Sequence, residues 1–294
     1  AQDRGNRNSV ELPEAAYAVI DTLEAGGFEA WAVGGCVRDS LLGRPINDCD
    51  VATAARWQQA EDILAAAGYT VHRTGTRHGT VTAVRDGGAF EVTTYRTEEG
   101  YGDGRHPDSV TFTASIEEDL GRRDFTVNAL ACHPRRGLLD PFGGRDDLAA
   151  GLLRAVGDPD CRFAEDGLRI LRGLRFASQL GFSLEPQTLQ SMRAQKMMLQ
   201  KVSAERIVHE MDGLLLGDHA HDGLMQAIDV LGAIMPEIVA CKGFRQHTPY
   251  HIYDVWEHIA WTVQYAPATR LARWSAFFHD TGKPGSFFMA SSRA

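Results

Sequence analysis

The chain has 294 residues, 44% of them hydrophobic and 23% charged, with 30 Lys and Arg against 39 Asp and Glu for a net charge of −9. That is globular composition with room for two separately cored domains; no run approaches the roughly 18 apolar residues of a membrane span, and the first ten residues carry no signal-peptide pattern. The acidic balance gives nucleic-acid binding no general support, so any basic face must be local. Five scattered cysteines without a Cys-x-x-Cys pair read as free thiols of a reducing compartment, hence a cytoplasmic protein.

Pro13–Ala25 reads as an opening helix stopped by Gly26-Gly27. Residues 28–33 form a first strand, and Gly34-Gly35 turns it into a helix through Leu42. A Gly-Gly turn ahead of a helix offers bare backbone N–H groups to phosphate oxygens. Asn47–Ala52 is a second strand, with Asp48 and Asp50 at i and i+2 and therefore on one side of a sheet. Neighbouring carboxylates repel, and one takes up a proton unless a divalent cation lies between them. Together, the turn and the acidic pair point to a metal–nucleotide triphosphate site. A helix at 55–67 follows, then strands at 70–74, 79–84 and 89–96, the last two joined by Arg85-Asp86-Gly87-Gly88. Thr97–Asp108, with Gly100, Gly102 and Gly104 at alternate positions, reads as a mobile loop or a loose hairpin tip.

From about residue 155 helical periodicity takes over. The expected architecture is α+β: a mixed-sheet head over 1–150, a helical neck over 151–215 and a helical body over 216–294. On a continuous helix through residues 165–175, Leu168, Ile170, Leu171 and Leu174 cover one arc, while Asp166, Arg169 and Arg172 lie opposite, with Gly173 leaving a gap between acid and arginine. Arg175 falls at the edge. Aspartate only accepts hydrogen bonds and arginine only donates them. Such an edge fits cytosine and adenine, which present an amino donor beside a ring-nitrogen acceptor, and leaves unpaired groups opposite uracil and guanine.

The segments GGCVRDSLLGRPINDCDVATAA (34–55), EVTTYRTEEGYGDGRHPDSVTF (91–112), EEDLGRRDFTVNAL (117–130), DPFGG (140–144) and EDGLRILRGLRFA (165–177) resemble bacterial class II tRNA nucleotidyltransferases (CCA-adding enzymes) and the related bacterial poly(A) polymerases of the polymerase-β-like superfamily. The resemblance implies that Asp48 and Asp50 hold catalytic Mg²⁺ and that Gly34, Gly35 and Arg38 meet the triphosphate. Arg123 would lie in the nucleotide pocket, with Asp124 near the ribose. Asp166 and Arg169 would read the base edge, oriented by Glu165, while Arg172 and Arg175 assist at the phosphates. Glu91 is a candidate third metal carboxylate. The implied reaction is template-independent addition of CCA to the tRNA 3′ end from CTP and ATP. Poly(A) synthesis, CC- or A-only addition, and a non-catalytic RNA- or metal-binding module are the alternatives, and the 97–108 loop speaks against CC-only addition.

Near the C-terminus, Phe278-His279-Asp280-Thr281-Gly282-Lys283 resembles the His-Asp pair of HD phosphohydrolases, with His258 as a companion ligand. The later Asp that completes such sites is absent, so a partial HD-type segment is expected. The final residues do not read like a finished domain.

Overall fold

The computed structural model describes residues 10–99, 109–246 and 249–285. The glycines of the expected loop (Gly100, Gly102 and Gly104) lie outside the described residues. The chain divides into two compact units, one built from described residues 10–99, 109–150 and 154–157, the other from 151–153 and the described residues from 158 onward.

In the first unit α1 (Glu14–Ala25) leads through Gly26-Gly27 into β1 (Ala30–Val33), α2 (Gly35–Leu41), β2 (Asp50–Thr53), α3 (Trp57–Ala66), β3 (Thr70–Gly75), β4 (Thr80–Arg85) and β5 (Gly88–Thr94). A hairpin of β6 (Arg96–Glu99) and β7 (Ser109–Phe112), helix α4 (Ile116–Gly121), strands β8 (Ala131–His133) and β9 (Gly137–Leu139), and α5 (Gly144–Ala150) follow. Among the described residues one mixed seven-stranded sheet runs β3-β4-β5-β2-β1-β8-β9, its β2–β5 pair parallel. Every residue of β1 is buried, as a central strand covered on both faces requires. Trp31, Val33, Ala52, Tyr95, Leu120, Ala131 and Val156 share the core on one face, while α1 and α3 pack on the other parts of the sheet. The β4–β5 turn places Asp86 and Gly87 at φ of 52° and 78°, the paired left-handed geometry that Asp-Gly supplies in a two-residue hairpin.

Two boundaries differ from expectation. Thr97 to Glu99 continue a strand, pairing with Thr111 to Ser109, because Arg96 opposite Phe112 starts an antiparallel ladder before the glycines begin. The second strand starts at Asp50 rather than Asn47, so Asp48 belongs to the preceding loop.

The second unit holds a short parallel pair, β10 (Leu152–Leu153) with β11 (Ser183–Leu184), and the helices α6 (Pro159–Glu165), α7 (Leu168–Leu180), α8 (Pro186–Ala194), α9 (Ala204–Leu215), α10 (Ala220–Leu231), α11 (Val255–Tyr265) and α12 (Arg270–Phe278). Helix α7 packs on both α9 and α10, and α10 continues onto α11, so packing runs on past residue 215. No helix among the described residues is long and apolar enough to cross a membrane.

Candidate nucleotide and metal site

The acidic pair sits where β1, β2 and β5 meet. Val33 pairs with Asp50 across the antiparallel β1–β2 ladder, and Val51 pairs with Val92 across the parallel β2–β5 ladder. One residue earlier on each parallel strand stand Asp50 and Glu91, both exposed, with buried Val51 and Val92 alternating to the core. Asp48 and Asp50 are likewise exposed on either side of buried Cys49. Loss of solvent around the Asp50 carboxyl raises its pKa above the usual aspartate range, and the charge of Glu91 pushes it further; Arg123 pulls it back, and Asp48 adds a smaller push upward. Asp50 thus feels the charge of both Glu91 and Asp48, and carboxylates are hard oxygen donors of the kind that suits Mg²⁺.

The Gly34 turn lies against this corner. Gly34 has φ of 78°, a backbone region that favours glycine, and a Cβ there would sit 3.1 Å from Arg123 Nη1. Its own N–H is not bare as expected, since it donates to the Leu130 carbonyl at 3.0 Å. The amides of Gly35 and Cys36, in the first turn of α2, are those a helix start leaves outside its ladder. Arg123 Nη2 lies 3.3 Å from Asp119, a fully buried carboxylate, and among the described residues Arg123 Nε is buried without a hydrogen-bond partner. A buried, unsatisfied guanidinium donor beside a glycine turn fits an anionic ligand.

Arg38 donates to Asn128 Oδ1 at 2.6 Å and to Asp39 at 3.0 Å. Asn128 in turn donates to Asp124 Oδ1 at 3.1 Å, and Asp124 also accepts the Phe125 N–H at 2.8 Å. One chain of hydrogen bonds thus links two of the predicted site residues, Arg38 and Asp124, through Asn128. Sequence reasoning missed Asn128 and Asp119. Asn128 sits four residues past Asp124, a spacing that offered a signal; Asp119, the third acid of Glu117-Glu118-Asp119, carries no signal of its own in the sequence, yet it takes Arg122 and Arg123 and accepts the Arg96 N–H at 3.1 Å.

In the second unit, the continuous helix assumed for residues 165–175 is corrected. Helix α6 ends at Glu165, Asp166 is extended at φ −145° and ψ 109°, and α7 starts at Leu168. The residue after the break, Gly167, already has helical angles, and a Cβ on it would meet the Met198 carbonyl at 2.7 Å, so the close approach leaves no room for a side chain. Asp166 Oδ1 accepts the Leu168 N–H at 3.0 Å, and its other oxygen lies 3.5 Å from Arg206 Nη2. Arg169 and Gly173 are buried, not on an open polar face, because α7 packs on α9 and α10 together. Glu165 accepts from Arg169 Nη1 and from Arg162 Nη2, the latter at 2.6 Å, and Arg169 also donates to the Arg162 carbonyl at 3.2 Å. Arg175 pairs with buried Glu210 at 3.2 Å. Arg172 and Arg175 both lie over the Phe176 ring, at 5.3 and 4.9 Å.

Farther along, His258 and His279 approach Asp280 Oδ2 at 3.4 and 3.2 Å, and their own Nε2 atoms are 3.4 Å apart. Two imidazoles and a carboxylate make a donor set for a divalent transition ion. Lys283 Nζ already lies 2.6 Å from Asp280. Burial lowers the His258 pKa, with Asp280 opposing and His279, Lys283 and His251 reinforcing.

A mixed sheet presenting an acidic pair at a strand start, beside a glycine turn and a half-buried arginine, defines a nucleotidyltransferase head. Residues 30–154 match the poly A polymerase head domain, and residues 181–241 match the probable RNA and SrmB-binding site of polymerase A. The CCA-adding enzyme of Pediococcus pentosaceus is 44% identical over 86% of this chain and 65% of its own length; that of Limosilactobacillus fermentum is 48% identical over 74% and 53%. The crystal structure of the Bacillus stearothermophilus CCA-adding enzyme in complex with CTP superposes with a TM-score of 0.75 at 35% identity, over 92% of this chain and 62% of that one. The chain belongs to the tRNA nucleotidyltransferase and poly(A) polymerase family. It spans about half to two thirds of the length of the curated relatives it matches.

Proposed function

We propose that the protein adds CCA to tRNA 3′ ends from CTP and ATP without a nucleic-acid template, releasing pyrophosphate. The observation that carries this reading is the electrostatic coupling of Asp50 to Glu91, Arg123 and Asp48 in the corner where the Gly34 turn meets Arg123, whose Nε lacks a partner among the described residues. Membership of the family and likeness to CCA-adding enzymes support it. Asp48 and Asp50, with Glu91 beside them, would hold Mg²⁺, which when bound activates the tRNA hydroxyl and neutralises charge at the phosphates. Arg123 and the first amides of α2 receive the triphosphate charge, and Arg38, fixed by Asn128, adds a second cation. Asp124, held by Asn128 and the Phe125 amide, keeps a carboxylate oriented for the ribose.

Base choice falls to Asp166 and Arg169. Asp166 accepts from a base amino group and Arg169 donates to the ring nitrogen beside it, an edge shared by cytosine and adenine. Glu165 anchors Arg169, and a fixed donor discriminates better than a mobile one. Arg172 is assigned to the phosphates; Arg175 joins it only if it leaves Glu210. Such tRNA processing belongs in the cytoplasm.

The test is incubation with a tRNA lacking its CCA end and each labelled nucleoside triphosphate. Growth by three nucleotides ending in CCA is expected from CTP plus ATP. Continued growth with ATP alone would make the protein a poly(A) polymerase, and incorporation of one base only would make it a partial enzyme; either outcome rejects the proposal.

A further inference from the structure

Two cysteines that no step above uses flank the acidic corner. Cys36 is the second residue of α2, directly after Gly34-Gly35, and Cys49 lies between Asp48 and Asp50. Both are buried, at 3% and 4% exposure, with their sulfurs 2.9 Å apart. The Cys36 thiol also reaches the Val33 carbonyl at 3.5 Å, and Val33 is the residue paired with Asp50. The thiol pair therefore fills the corner where β1 turns into α2 beside the first residue of β2. Cys132 is buried on β8, and the exposed Cys161 lies in the other unit, so neither is a neighbour in sequence to the acidic pair.

We infer that Cys36 and Cys49 are a site of reversible oxidative modification, at which a peroxide converts the thiol pair to an intramolecular disulfide that weakens cation binding at the acidic pair and stops nucleotide transfer. Peroxide takes one thiol to a sulfenic acid and leaves as water; the other thiol attacks that sulfur and expels a second water. Two thiols lose two protons and two electrons, and one peroxide becomes two waters. Exposures this low require a small oxidant. A dithiol reverses the bond by thiolate attack on one sulfur. Inside a reducing compartment, disulfides of this kind are transient and redox-sensing rather than structural.

Closing the bond brings the sulfurs about 0.9 Å nearer. One end follows the Gly34 turn and the other immediately precedes the β2 ladder, so the movement is taken up next to Asp48 and Asp50. A shift of about 1 Å in positioned ligands costs on the order of 100-fold in activity. The loss of transfer rests on the proposed function, whereas the disulfide and the loss of cation affinity do not.

The experiment treats the whole chain with hydrogen peroxide, alkylates free thiols, maps peptides by mass and titrates Mn²⁺ in parallel with transfer assays. Expected are a 2 Da loss on a Cys36–Cys49 linked peptide, a tenfold or greater fall in Mn²⁺ affinity, about 100-fold lower transfer, and recovery of all three with dithiothreitol. Cys49→Ala keeps basal transfer and loses the sensitivity; Cys132→Ser keeps both. Oxidation confined to Cys161, or a linked protein with unchanged Mn²⁺ affinity, would overturn the inference. So would a Cys49→Ala protein that peroxide still inactivates. A protein that links and releases Mn²⁺ as expected under peroxide, yet never extends tRNA even before oxidation, would fail the proposed function and leave the thiol site standing.

Discussion

Replacing Asp50 with Asn separates the cost of the acidic corner from its use. The Asp50 carboxyl is held above its usual pKa by loss of solvent and by Glu91, with Arg123 opposing and Asp48 adding to the strain. A group whose folded pKa is raised favours its protonated form in the native state, so the fold loses stability as pH rises from the unfolded value through the folded one. An uncharged amide of the same shape removes that loss. The Asn variant should therefore be the more stable of the two when no divalent cation is bound. Its melting temperature should accordingly rise. Transfer should fall by about 1,000-fold or more, because one carboxylate of the cation site is gone. Thermal scans with and without Mg²⁺, beside a labelled-CTP assay, read both effects. Mg²⁺ should stabilise the parent protein and leave the variant unmoved. A variant that melts lower than the parent while retaining transfer would refute the reasoning.

Three further outcomes follow from the geometry. Arg169→Ala should lose at least tenfold of its discrimination against UTP and GTP while Mn²⁺ affinity is unchanged, measured by misincorporation and titration; unchanged selectivity removes the base-reading role. Gly34→Ala places a Cβ at a positive φ and against Arg123, so stability should fall by about 1–2 kcal/mol and KM for CTP should rise, checked by denaturant titration and kinetics. Burial alone would raise the Glu24 pKa, but hydrogen bonds from Arg136, His133 and Arg135 outweigh it and hold it down at about 2. Its stabilisation is therefore present above the ordinary glutamate pKa near 4.5 and lost as pH falls from there toward about 2. Glu24→Gln should flatten the stability profile over that window and cost stability at pH 7, read from urea midpoints at successive pH values.

The acidic pair was legible in the sequence because alternation along a strand is a local property: Asp48 and Asp50 flank buried Cys49 although the regular ladder begins only at Asp50. Glu91 as a neighbour of Asp50 was not derivable from local pattern, since it depends on the parallel β2–β5 register that brings distant segments together. The helical wheel failed at Asp166 because apolar periodicity continues through a break; the extended backbone there, and the close approach of the Met198 carbonyl to Gly167, depend on tertiary packing. The same wheel treated Arg169 as surface, where it is instead buried and anchored through Nη1 by Glu165 and the Arg162 carbonyl. Asp119 and Asn128 escaped notice for a related reason. Their importance comes from what they hold in place, and a polar residue that folds inward to orient another leaves little trace in hydrophobic patterning.

A crystal structure of the protein loaded with Mn²⁺ and CTP tests the central claim most directly. Anomalous signal for manganese on Asp48 and Asp50, with the triphosphate of the same CTP attached and its cytosine edge on Asp166 and Arg169, is the predicted result. Manganese bound elsewhere, or a cytosine that contacts neither residue while its phosphates sit at the metal, would contradict it.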